Sequence, residues 1–184
     1  VTNCSYTTAT SGTFDAIVAS GSAAIVNMNS NTVSNNVQSG TGLFTCIEAG
    51  SPTTLNMNSN TVNGNQKTGA SGTLYCTRAA TSIITYNNNN LYNNSFTASS
   101  GTSSCILYGY YNLSSPTEEY LYNNNIYDLS IAKTNTGTSS ILYGIHTNTV
   151  STAVKEIYNN NIYNLNAQSG TVYGISQLLG SNVR

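Results

Sequence analysis

Apolar and polar positions along this chain fall into two short phrases that alternate from end to end. The first is an Asn-rich bend followed by an aliphatic residue: MNSNTV at 28–33 and again at 57–62, YNNNNL at 86–91, LYNNNI at 121–126 and IYNNNI at 157–162. Taking Asn31, Asn60, Asn89, Asn124 and Asn160 as equivalent gives spacings of 29, 29, 35 and 36 residues. The second is a Ser/Gly/Thr turn followed by a short apolar run: SGTFDAI at 11–17, GLFTCI at 42–47, GTLYCT at 72–77, ILYGY at 106–110, ILYGI at 141–145 and TVYGI at 171–175. Ala16, Cys46, Cys76, Gly109, Gly144 and Gly174 then recur at 30, 30, 33, 35 and 30 residues. Two independent phrases that keep step define a repeat.

Helical repeats of this period need strong helix formers, whereas this chain offers β-branched residues, Tyr, Asn and turn-forming Gly and Ser. A propeller blade needs about 40 or more residues. The pattern therefore predicts an all-β fold, a right-handed parallel β-helix of about five to six coils with 29–36 residues per coil, forming one domain over 1–184. In such a stack each coil bonds to the next about 4.8 Å away, so like residues lie over like. Val33, Val62, Leu91, Ile126 and Ile162 form one predicted core column. Phe14, Phe44, Leu74, Leu107, Leu142 and Val172 form another. The Asn column is expected at the bend, where Asn tolerates left-handed backbone and its amide can bond to the Asn above. Extra length at 95–104 and 132–140 is expected in one loop column.

Composition agrees with stacking. Only 6% of the 184 residues are charged, against about 25% in ordinary domains, and stacked like charges would repel. The 39% hydrophobic residues, 14 Tyr among them, suffice for a core. The net charge of −1 supplies no basic face for nucleic acid. No apolar run reaches the ~20 residues of a membrane span, so no membrane insertion is expected. Two charge pairs check the register: Glu48 with Arg78, and Glu119 with Lys155, both expected as exposed pairs of little energetic weight. The scarcity of charge with abundant Ser, Thr and Asn points to a secreted or cell-surface setting.

The alternation of NNNIYNL at 159–165 with SGTVYGI at 169–175 resembles the parallel β-helix repeats of large bacterial surface proteins, adhesin-like and similar to cargo of the type IX secretion system. The resemblance covers the whole chain and implies a fold and a setting more than an activity. The C-terminal sorting domain usual in such proteins is absent from this sequence.

Candidate chemistry is sparse. The acids are Asp15, Glu48, Glu118, Glu119, Asp128 and Glu156, and Glu118, Glu119 and Glu156 fall within one coil of each other, where Lys155 makes a salt network the simpler reading than the two-carboxylate site of a glycosidase. His146 is expected as an exposed, solvated residue between Tyr111 and Ser176. Cys46 and Cys76 occupy equivalent positions in adjacent coils, close enough for a disulfide, or are simply small column-fillers; Cys4 and Cys105 are expected to be free. No cysteine set has metal-ligand spacing, and no metal or cofactor is expected. Tyr92, Tyr127 and Tyr163 form a column, as do Tyr122 with Tyr158 and Tyr108 with Tyr143 and Tyr173. An exposed column could stack on sugars, or serve plain cross-strand packing. Thr32 and Thr61 stack, but their column continues as Asn90, Asn125 and Asn161, too short a Thr array for an ice plane. The leading expectation is a non-catalytic stalk or spacer, with a carbohydrate-binding or polysaccharide-cleaving β-helix second and an ice-binding solenoid third. With no polar cap at either end, further coils of the chain or another protein chain are expected as partners, with glycans as a possible ligand.

Overall fold

The computed structural model describes residues 1–98, 104–112, 114–133, 140–147, 154–178 and 182–183. Among these there is no helix, and all strand pairing is parallel. After β1 (Ser5–Thr10), the chain repeats one circuit. Coil 1 is β2 (Phe14–Ser20), β3 (Ile25–Asn27), β4 (Thr32–Ser34) and β5 (Val37–Gly40). Coil 2 is β6 (Phe44–Gly50), β7 (Thr54–Asn58), β8 (Thr61–Asn63) and β9 (Gln66–Gly69). Coil 3 is β10 (Gly72–Ala80), β11 (Ile83–Asn87), β12 (Asn90–Tyr92) and β13 (Ser95–Ala98). Coil 4 is β14 (Cys105–Asn112), β15 (Glu118–Tyr122) and β16 (Asn125–Lys133). Coil 5 is β17 (Ser140–Thr147), β18 (Val154–Tyr158) and β19 (Asn161–Ala167). A sixth begins with β20 (Gly170–Gln177) and β21 (Asn182–Val183).

Three sheets result. Sheet I runs β2-β6-β10-β14-β17-β20 and sheet II runs β3-β7-β11-β15-β18-β21. Sheet III has nine strands: two ladders, β4-β8-β12 and β1-β5-β9-β13, join at β16, which also pairs with β19. The arrangement is consistent with a parallel β-helix. Both predicted aliphatic columns are in register, Val33↔Val62↔Leu91↔Ile126↔Ile162 and Phe14↔Phe44↔Leu74↔Leu107↔Leu142↔Val172. Side chains from all three sheets meet in one apolar core.

The Asn bend separates two roles that the sequence reading merged. The left-handed residue is the one before the ladder Asn: Ser30, Ser59, Asn88, Asn123 and Asn159, with φ of 53–58°. The ladder Asn itself is freed to point inward. A second left-handed row, Asn35, Gly64, Asn93, Asp128 and Asn164, turns the chain between the two halves of sheet III.

Strands of sheet I do not alternate faithfully. In β14 both Gly109 and Tyr110 are buried, as are Gly144 and Ile145 in β17 and Cys76 and Thr77 in β10. The strand bends there, which demands a small side chain: a Cβ on Gly109 would lie 2.5 Å from the Gly144 carbonyl oxygen and 2.9 Å from Ile126 Cγ2. Of the two predicted loop insertions, residues 95–98 and 132–133 are paired strand instead, and 99–103 and 134–139 lie outside the described residues.

Candidate functional site

The Asn ladder is the most regular polar feature. Asn31, Asn60, Asn89 and Asn124 each donate both the backbone N–H and the side-chain Nδ2 to Oδ1 of the next Asn, ending on Asn160, at 2.8–3.1 Å. The second amide hydrogen goes backward, from Asn60, Asn89, Asn124 and Asn160 to the carbonyls of Met28, Met57, Tyr86 and Leu121. Every donor and acceptor of the three buried amides, Asn60, Asn89 and Asn124, has a partner without any charge being buried. A second ladder, Asn36–Asn65–Asn94, repeats the geometry at the other bend. Its 29-residue spacing was legible, but Leu129 and Leu165 replace it in coils 4 and 5, so it does not run the length of the repeat.

The interior holds charge that the sequence reading put outside. Arg78 and Glu48 pair at 3.1 Å on the surface of sheet I, as expected. Glu119 and Lys155, expected to be exposed, are 0% exposed and pair at 2.6 Å. On β15 the alternation of side chains sends Glu119 inward while Glu118 stays on the outer face, and Lys155 lies directly over Glu119. Tyr110 and Asn112 donate to Glu119 Oε1 at 2.8 and 2.9 Å, and Lys155 also donates to Thr147. Burial lowers the Lys155 pKa, opposed by the Glu119 carboxylate, and burial beside Glu119 pushes the Tyr110 phenol far up. A second interior cation, Lys67, faces carbonyl oxygens instead of a carboxylate: Gln38 Oε1, and Gly40 and Gly42 at 2.8 and 2.7 Å, with the Phe96 ring 5.4 Å away. Burial lowers its pKa to about 8. Three oxygens match the three ammonium donors.

The alternation along β15 takes Glu119 out of the one group of carboxylates that the sequence placed together, leaving Glu118 on the outer face with Glu156, which stands opposite Tyr120. Glu119 is sealed in the core and Glu118 accepts from Tyr120 on the outside at 3.1 Å. Asp128 accepts from Asn164 Nδ2 at 3.1 Å, in a shallow groove of about 550 Å³ lined also by Leu129, Ser130, Leu165 and Asn166. That groove contains one carboxylate, and a two-carboxylate hydrolysis needs a second across the bond. Among the described residues no group of three or more His, Cys, Asp or Glu could hold a metal ion. Cys46 and Cys76 fall in one column but are unbridged, buried thiols, with burial raising both pKa values. Cys105 is buried as well and Cys4 is exposed. Thr32, Thr61, Asn90, Asn125 and Asn161 stack as read.

Outward-facing aromatic rings form the remaining candidate. Tyr92, Tyr127 and Tyr163 stack at 5.2 and 4.9 Å with planes within 5°, and Tyr122 and Tyr158 at 5.1 Å. The largest array lies on sheet I: Tyr75, Tyr108, Tyr143 and Tyr173 in one file at 5.1, 4.8 and 5.0 Å, with Tyr111 and His146 in a second file beside it. His146 is not the solvated residue the sequence suggested. It is 8% exposed, stacked on Tyr111 and hydrogen-bonded through Nδ1 to Ser176 Oγ at 3.1 Å. The bend at Gly144–Ile145 resets the alternation and lays the imidazole against Tyr143. Within each file neighbouring rings cover one another's facing sides, so the inner rings present edges and hydroxyls, while the end rings Tyr158, Tyr163 and Tyr173 have a stacked ring on one face only and are exposed.

This chain is thus an all-β protein of stacked parallel coils with polar ladders inside and tyrosine files outside. No protein-family model, curated protein or solved structure matches it.

Proposed function

We propose that the chain is a right-handed parallel β-helix serving as a non-catalytic structural and interaction module, a stalk or spacer, of a secreted or cell-surface protein of the adhesin-like kind. The observation that carries this reading is the five-member Asn ladder, continuous from coil 1 to coil 5. An enzyme marks its site by breaking local rules, and here the departures from the repeat are sealed inside, Lys67 on three carbonyl oxygens and Glu119 and Lys155 on each other. Such a ladder locks successive coils at one rise and one angle, which is what a spacer needs. Flanking coils, of this chain or another, are proposed as the cover for inward-facing apolar groups of the outermost coil, Val172 and Ile175, which are 40% and 51% exposed.

A carbohydrate-binding role is the second reading, favoured by the outward Tyr files. Because the inner ring faces are occupied by neighbouring rings, sugars along a file would be held by phenol hydroxyls and ring edges, with stacking left to exposed end rings such as Tyr163. A glycan array with the purified chain, together with turnover assays on acidic polysaccharides, tests both readings. The spacer reading expects no turnover and no glycan captured. Glycan capture lost in Tyr127→Ala and Tyr163→Ala would move the assignment to binding, and turnover lost in Asp128→Asn would overturn the non-catalytic reading.

A further inference from the structure

Tyr108 and Tyr143 stand in register on β14 and β17 with ring centroids 4.8 Å apart and planes 3° apart, the closest pair in any of the three files. Both are half-buried, so their outer edges meet solvent. The chain's single His lies against both: the His146 ring is 5.6 Å from Tyr108 and 4.6 Å from Tyr143. The other two files, Tyr92–Tyr127–Tyr163 and Tyr122–Tyr158, have the same stacking without an imidazole beside them. Oxidising a phenol to a radical removes an electron and a proton together, and a neutral imidazole is a suitable acceptor at neutral pH. Burial and the nearby Lys155 charge both lower the His146 pKa, keeping it neutral.

We infer that Tyr108 and Tyr143 are a site of oxidative cross-linking, at which a one-electron oxidant such as a peroxidase with hydrogen peroxide joins the two rings as dityrosine. Each phenol gives one electron to the oxidant and one proton to His146 or water. The two phenoxyl radicals then couple carbon to carbon at positions ortho to the hydroxyls. The hydrogen on each coupled carbon moves to its oxygen, restoring both aromatic rings. In sum two tyrosines and one hydrogen peroxide give one dityrosine and two waters. The register supplies the proximity that converts a bimolecular coupling into an intramolecular one. The product ties β14 of coil 4 directly to β17 of coil 5 by a covalent bond.

The 184-residue chain, dilute and at neutral pH, is photo-oxidised with ruthenium tris(bipyridyl) and persulfate, then digested and mapped by tandem mass spectrometry with dityrosine fluorescence as a second readout. The expected result is a monomeric product whose dominant cross-link joins Tyr108 to Tyr143, with a mass lower by two hydrogen atoms. Tyr108→Phe and Tyr143→Phe should each remove that link, while Tyr127→Phe leaves it unchanged. His146→Phe should lower its yield several-fold at neutral pH, with recovery as the pH is raised and bulk base replaces the imidazole. Links found only between molecules, or dominated by Tyr122–Tyr158 or Tyr127–Tyr163, would overturn the inference.

Discussion

Lys155 Nζ lies 2.6 Å from Glu119 Oε2, and neither side chain is exposed. The pair bridges β15 and β18 inside a stack whose equivalent positions in coils 2 and 3 are Leu55 and Ile84. The apolar residues show that this column can be filled without charge. Once both ions are present, each depends on the other, since a buried ion without a partner is strongly unfavourable.

Removing one partner is therefore expected to cost more than removing both. Lys155→Met alone should destabilise by about 3–5 kcal/mol. Glu119→Leu with Lys155→Met, which restores the apolar column, should recover most of that loss, leaving the Tyr110 and Asn112 donors as the residual cost. Urea unfolding of the two variants and the parent decides this, and a double variant no better than the single one contradicts it.

Lys67 sets a pH dependence. Its folded pKa of about 8 lies below the ordinary 10.5, so between those values the unfolded chain holds a proton that the folded chain has released. Stability contributed through this group then rises with pH across that window, by at most roughly 3 kcal/mol at 1.36 kcal/mol per unit. Tyrosines with raised pKa values act in the opposite sense, because their folded forms keep the proton longer. Comparison with Lys67→Met isolates the lysine. The parent should gain on the variant from pH 8 to pH 10 in denaturant melts, and a flat difference would be the contrary result.

The Asn ladder predicts a graded series. Asn89→Ala leaves the buried amide of Asn60 and the carbonyl of Met57 unpaired, at about 1–3 kcal/mol per unsatisfied group. Asn31, which is only partly buried and donates to Asn60, should cost less when changed to Ala. Thermal unfolding of both variants measures the order, and equal losses would count against the ladder as the source of stability.

Thiol chemistry should discriminate the cysteines. In the native state iodoacetamide is expected to label Cys4 while Cys46, Cys76 and Cys105 react only after denaturation, because the thiolate is the reactive form and burial disfavours it. Peptide mass mapping before and after denaturation reads this directly. Native labelling of Cys46 or Cys76 would show that the core opens.

Much of the fold was legible. Stacking places identical positions over one another, so the spacings of Asn31, Asn60, Asn89, Asn124 and Asn160 report the strand register, the core columns and the pairing of Glu48 with Arg78. Repetition along a chain of parallel coils is a direct record of neighbours in space, because the pairing rule is the same at every step. What the repeat does not record is which way a side chain points. That was decided by the bends of sheet I, where Gly109 with Tyr110 and Gly144 with Ile145 turn inward together and carry His146 under a tyrosine file. It was decided again on β15, where Glu118 and Glu119 part to opposite faces and only the second meets Lys155 in the core. The sequence by itself determined who lies above whom. The tertiary structure alone decided inside from outside, since a strand's facing depends on the local phase of its pleat, and one bend in the backbone inverts it.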